Sequence, residues 1–120
     1  DPGELGEWGS ACTGGGTWQW PYGPVFDPAK CNGSESGVDD TVPVASFACE
    51  GGYDGLFDLV GNVHEWTDNC GPGGELATCT SRGGSWLDTA ASCASGQGGV
   101  RSVSGYVIGF RCCRDASLQP

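Results

Sequence analysis

Eight cysteines in 120 residues constrain this chain more than any other feature. A reducing compartment would keep them as reactive thiols, so this density points to an oxidising location and a disulfide framework. A zinc site requires close thiolate pairs such as C-x-x-C. Here the gaps are wide, except at the adjacent Cys112 and Cys113. The expected location is therefore secreted, periplasmic or at the cell surface. A chain of this length with 38% apolar residues can bury one small core, so a single domain over residues 1–120 is expected. Its 23 glycines disfavour long helices and leave loops to carry much of the fold.

The charge is −10, and its distribution is uneven. Lys30 is the only base before Arg82, and the four arginines Arg82, Arg101, Arg111 and Arg114 all fall late. So acidic a chain is a poor partner for nucleic acid. The carboxylates read either as a solvated surface or as ligands for a cation. No stretch approaches the ~20 consecutive apolar residues that span a bilayer, so no transmembrane segment is expected. The chain begins with Asp1 and contains no methionine, which suggests a processed or excised polypeptide.

Along the chain, Leu5, Trp8 and Cys12 share one face at helical spacing and suggest a helix over residues 4–12. From Gly14 to Ser46, groups such as TGGGT, PYGP and DPAKCNGS predict a long ordered loop. Residues 55–67, GLFDLVGNVHEWT, bring Leu56, Val60, Val63 and Trp66 together on a turn or short strand that Gly61 and Asn62 interrupt. A second loop, DNCGPGGELATCT, leads to a strand-like RGGSWL. Val107, Ile108 and Phe110 in YVIGFRCC then predict a buried strand.

The ordered series EW…AC…G (Glu7 to Gly14), PYG…FDPAKCN (Pro21 to Asn32), T-x-PV-x-SF (Thr41 to Phe47), GLFDLVGNVHEW (Gly55 to Trp66), RGGSW (Arg82 to Trp86) and GFRC (Gly109 to Cys112) resembles the formylglycine-generating enzyme, or sulfatase-modifying factor, domain. The resemblance covers essentially the whole chain. It implies an irregular α+β fold, a variant of the C-type lectin fold with little regular secondary structure. The family domain normally starts well before the EW motif. The resemblance therefore implies that residues 1–120 form its second half and that another chain, or a cleaved upstream half, is a partner.

Spacing alone does not decide the pairing of eight cysteines. The resemblance implies a Cys12–Cys93 bridge. Local loops suggest Cys31–Cys49 and Cys70–Cys79, each closing a loop whose crosslink stabilises by about 3 kcal/mol. Cys112 and Cys113 remain. The family's GFRC cysteine pairs with the upstream half, which implies that at least one of the two bonds to another chain; a vicinal disulfide is the alternative, and its geometry is rarely met.

The resemblance also implies metal ligands. Asp58 and Glu65 side chains, with the Gly61 and Val63 carbonyls, match a calcium site, and oxygen donors on irregular backbone suit that hard cation. A second calcium would draw on Asn32, Gly33 and Asp40 or Asp39, in a loop shorter than the family's. The family's oxidase chemistry needs two copper-binding cysteines five positions apart after GGS-aromatic. Here Asp88 holds the first position, and Cys93 matches either the second position or the bridge cysteine. No reactive pair is left in LDTAASCASGQGGV, no catalytic residue is assigned and no copper is expected.

His64, the single histidine, stands where the family usually has an aromatic residue, and reads as a packed ring more readily than as a general base. The five tryptophans read first as core. Trp18 and Trp20, between GGGT and PYG, are as well suited to stacking on a sugar or a partner. The expected protein is a non-catalytic, calcium-stabilised binding or structural subunit, with a divergent oxidase and a carbohydrate-binding module as alternatives.

Overall fold

The chain opens on helix α1 (Pro2–Thr13), whose backbone kinks at Gly6. The computed structural model describes residues 2–102 and 104–113, with side chains from residue 6 onward. The Leu5 side chain and Arg114 lie outside the described residues. Trp8 and Cys12, the other members of the expected helical face, are both buried. The helix stops in a web around Thr13: its hydroxyl donates to the Gly9 carbonyl at 2.8 Å and accepts from the Gly16 amide at 2.7 Å. A Ser or Thr hydroxyl that satisfies nearby backbone in this way offers the chain an alternative to continuing the helix.

Beyond α1 the chain runs to residue 49 with a single 3-10 turn at Ser34–Ser36. Strands β1 (Glu50–Gly51) and β2 (Tyr53–Phe57) form a small antiparallel pair. The main sheet is built from β3 (His64–Cys70), β4 (Thr78–Arg82), β5 (Gly96–Val100) and β6 (Ile108–Gly109) in the order β5-β4-β3-β6. β3, β4 and β5 pair antiparallel, and β6 pairs parallel to β3 at His64↔Ile108 and Glu65↔Gly109.

The strands depart from the sequence expectation in four places. Asp68, Asn69 and Cys70, expected in a loop, extend β3 to its Cys70↔Cys79 pair. The strand expected over RGGSWL lies earlier and ends at Arg82. Gly83 has a φ of 94°, and a Cβ there would run into the Leu59 carbonyl and the Trp8 ring, so only glycine lets the chain turn under the core. At the other end, pairing of β6 stops at Gly109. Alternation stops with it, which leaves Phe110 75% exposed rather than buried. The glycine-rich β5 was not foreshadowed by propensity.

The core gathers Trp8, Cys12, Cys31, Cys49, Leu59, Val60, Ala91 and Cys93, with Ala11, Tyr22, Phe47 and Leu56 packed against it. Half of these buried residues are cysteines. Cys12–Cys93 and Cys31–Cys49 cross this core, and Cys70–Cys79 staples the β3–β4 hairpin. The three bridges agree with the expected pairings. In so small a core, crosslinks supply stability that apolar area alone would not.

Candidate functional site

Most of the chemistry-bearing residues converge on the segment between β2 and β3. Gly61 and Asn62, which interrupt regular structure, stitch three loops together. The Gly61 amide donates to Gly83 at 2.9 Å, and the Asn62 amide donates to Asn32 at 2.8 Å. The Asn62 carbonyl accepts from the Trp86 amide at 3.0 Å. Its side chain closes a reciprocal pair with Val42, accepting at 2.9 Å and donating at 3.2 Å. Asn62 holds this position with a φ of 65°, a left-handed conformation that asparagine tolerates. The sequence marks Asn62 as a breaker, but these partners come from distant loops.

Asn32 is almost fully buried and equally committed. Its amide nitrogen donates to the Asp40 carbonyl at 2.8 Å, and its side-chain oxygen accepts from the Ser36 hydroxyl at 2.6 Å. The Gly33 carbonyl accepts from the Ser36 amide at 3.1 Å, and the Asp40 carboxylate accepts from the Thr41 amide at 2.7 Å. The oxygens expected for a second calcium thus take part in internal loop bonds.

At the expected first calcium site, Asp58, Val63 and Glu65 line one open cleft of about 410 Å³, and Gly61 does not line it. Asp58 is buried with a φ of 60° and accepts from the Ala45 amide at 2.8 Å. Glu65 is more fully occupied. Arg111 grips it with two nitrogens, Nε at 2.7 and 3.0 Å and Nη2 at 2.6 Å. The Trp8 indole donates to its Oε2 at 2.8 Å. Both oxygens are thereby engaged: the single Nε hydrogen is shared between them, Nη2 holds Oε1 and the indole holds Oε2. Glu65 as arranged here does not fit as a calcium ligand. Sequence reasoning expected buried negative charge to need a cation; it did not identify Arg111, 46 residues away, as the group that supplies it. Among the described residues, no three carboxylate, histidine or cysteine side chains gather as a metal cluster.

On the other side of β3, His64 Nε2 lies 3.0 Å from Asp88 Oδ2. That same oxygen accepts from the Ser85 amide at 2.6 Å and the Ser85 hydroxyl at 2.9 Å. Serine, aspartate and histidine meet here in an order that does not activate the serine. The hydroxyl donates to the carboxylate rather than to the imidazole, and Ser85 is only 1% exposed. Asp88 caps a turn and holds the His64 ring, whose buried Nδ1 has no partner among the described residues. Cys93, the other candidate for the family's cysteine pair, is bonded to Cys12.

Cys112 and Cys113 are both exposed and unpaired with each other, which sets aside the vicinal disulfide. Cys113 borders a second cleft of about 200 Å³ with Glu7, Trp8, Trp66 and Arg111. Partial desolvation in this cleft, then the hydrogen-bonding carboxylate of Glu7, pushes the Cys113 thiol up. Of the two loop tryptophans, Trp20 is tied in, donating to the Ala91 carbonyl at 3.2 Å and packing on Phe26 at 5.9 Å. Trp18 is 42% exposed.

Among the described residues, a single short helix, a small mixed sheet, long hydrogen-bonded loops and three core or hairpin disulfides define an irregular, disulfide-rich α+β domain. Three bridges of this kind belong to an oxidising environment, extracytoplasmic or within the endoplasmic reticulum lumen. Residues 3–116 match the family described as the sulfatase-modifying factor enzyme 1-like domain, and the chain belongs to it. It is similar to the inactive C-alpha-formylglycine-generating enzyme 2 of Bos taurus, at 33% identity over 95% of this chain and 44% of that protein. It is likewise similar to the Mus musculus protein of the same name, at 33% identity over 92% of this chain and 41% of that protein. The chain thus spans less than half the length of these relatives. The crystal structure of CarF shares the fold with a TM-score of 0.57 and 32% identity, over 70% of this chain and 33% of that one.

Proposed function

We propose that this chain is a non-catalytic member of its family, which acts by binding another polypeptide outside the cytosol, with Cys112 as a covalent tether. The observation that carries the first part is the fate of the two positions matched to the reactive cysteines. Asp88 stands at one, engaged by His64 and Ser85, and Cys93 is consumed by its bridge to Cys12. A carboxylate and a disulfide cannot supply the thiolates on which copper-dependent oxygen activation rests. The relatives named as inactive enzymes support the same reading. Incubating the protein with copper, oxygen and a cysteine-containing peptide is expected to yield no aldehyde by mass spectrometry. Turnover would overturn the proposal.

The binding part rests on the two exposed thiols, of which Cys113 borders a cleft lined by Trp8 and Trp66. Cys112 is the cysteine of GFRC, and the Glu7 carboxylate bonds its neighbour Cys113. Protein recovered from its native source with free thiols blocked is expected to carry a mixed disulfide on Cys112, lost on reduction. An alkylated, monomeric Cys112 throughout the population would defeat it. In this reading the chain is secreted.

A further inference from the structure

We infer that Arg111 does internally what a calcium ion would do at Glu65: its guanidinium is the resident cation of this site, and the fold around the Asp58–Glu65 cleft is independent of calcium. The inference goes beyond the binding proposal and stands whether or not a partner exists. It rests on the donor set that Arg111 collects. Two nitrogens hold both oxygens of Glu65, and Nη2 also donates to the Phe57 carbonyl at 2.7 Å. Two carboxylate oxygens and a backbone carbonyl are the oxygens a hard cation gathers from irregular backbone. The planar fork of arginine matches a carboxylate bidentately and cannot lose its charge.

Position supports the same conclusion. The Glu65 side chain is 6% exposed and that of Arg111 33%, so the carboxylate is drawn from water and the guanidinium reaches it from the open side of the cleft. A buried carboxylate must be paired or neutralised. The Trp8 indole donates to the same carboxylate, so helix α1, strand β3 and the segment after β6 meet on it, and the end of β2 joins them through the Arg111 guanidinium. A calcium ion entering this site would have to displace a bidentate arginine and strip an indole bond. Asp58 alone, with one oxygen already bonded to Ala45, offers too little to drive that exchange.

The experiment compares the unmodified chain with Asp58→Asn, which keeps the acceptor for the Ala45 amide and tolerates the positive φ but removes the cleft's second carboxylate charge. Both are unfolded thermally in chelator and in millimolar calcium. The expected result is that calcium changes the Tm of the two proteins equally, to within about 1 °C, so that any response arises elsewhere. A calcium-induced rise in the unmodified chain that Asp58→Asn reduces by more than that would overturn the inference. Arg111→Gln sharpens it. With the guanidinium gone, calcium is expected to raise the Tm of this variant by several degrees. A folded Arg111→Gln protein that gains nothing counts against the inference, and if it does not fold, the first comparison decides alone.

Discussion

The loops around Asn32 and Asn62 and the edge of the sheet around Trp66 and Phe110 are both irregular, yet they are satisfied in opposite ways. In the loops the polar groups described above find internal partners: Asn62 alone binds Val42, Asn32 and Trp86. At the sheet edge β6 is two residues long, Phe110 and Tyr106 are exposed, and two thiols stand free. The loop region is complete in itself because hydrogen bonds replace regular structure there. The edge leaves apolar area and two free thiols facing outward.

That contrast can be broken from the closed side first. Replacing Cys12 and Cys93 with serine opens a link of 81 residues and is expected to cost about 4–5 kcal/mol, read from denaturant unfolding. Asn62→Ala strands the Val42 amide and carbonyl that it pairs and should cost about 2–4 kcal/mol in the same measurement. Removing Cys70 and Cys79, nine residues apart on the hairpin, should cost less than the first bridge, about 2–3 kcal/mol. If this hairpin bridge proved the costlier, the view that the stability resides in the loop-built core would fail.

The open side should respond in function rather than stability. Phe110→Ser is expected to change stability by no more than about 0.5 kcal/mol, because the ring is already in solvent. The smallest effect is at Cys113. Since the thiolate is the reactive form, a thiol whose pKa is pushed up has less thiolate at neutral pH and is alkylated slowly, faster as the pH rises. Glu7→Gln removes the repelling charge and should speed Cys113 alkylation at neutral pH, followed residue by residue by mass spectrometry. A rate unchanged by that substitution would show that burial alone sets the thiol's reactivity.

Much of the closed region was legible in the sequence, and much of the open one was not. The three bridges, the buried face of Trp8 and Cys12 and the long loop follow from spacing, turn chemistry and the family motifs. Strand β5 did not, because GQGGV has little intrinsic preference for extended structure. Its five-residue register with β4 explains it, together with the Trp66 ring packed 3.2 Å from where a Cβ on Gly99 would sit. Arg111 was hidden for the same reason: a carboxylate in the sequence announces a need for countercharge, while only the folded chain shows where the charge comes from. Asp58 and Glu65 do share one cleft, as the family resemblance implied, whereas the Gly61 amide serves the loop stitch.

The Cys12–Cys93 bridge also sets an order for biosynthesis. Cys31 and Cys49 lie 18 residues apart and Cys70 and Cys79 nine, so each pair can meet while the chain is still emerging into its compartment. Cys12 must wait until Cys93, 81 residues later, has been delivered. During that interval it is a nascent thiol beside other cysteines, exposed to mispairing. Closing Cys12–Cys93 is therefore expected to be the last oxidation, and a pulse-chase with thiol trapping should capture two-bridge species before the three-bridge form.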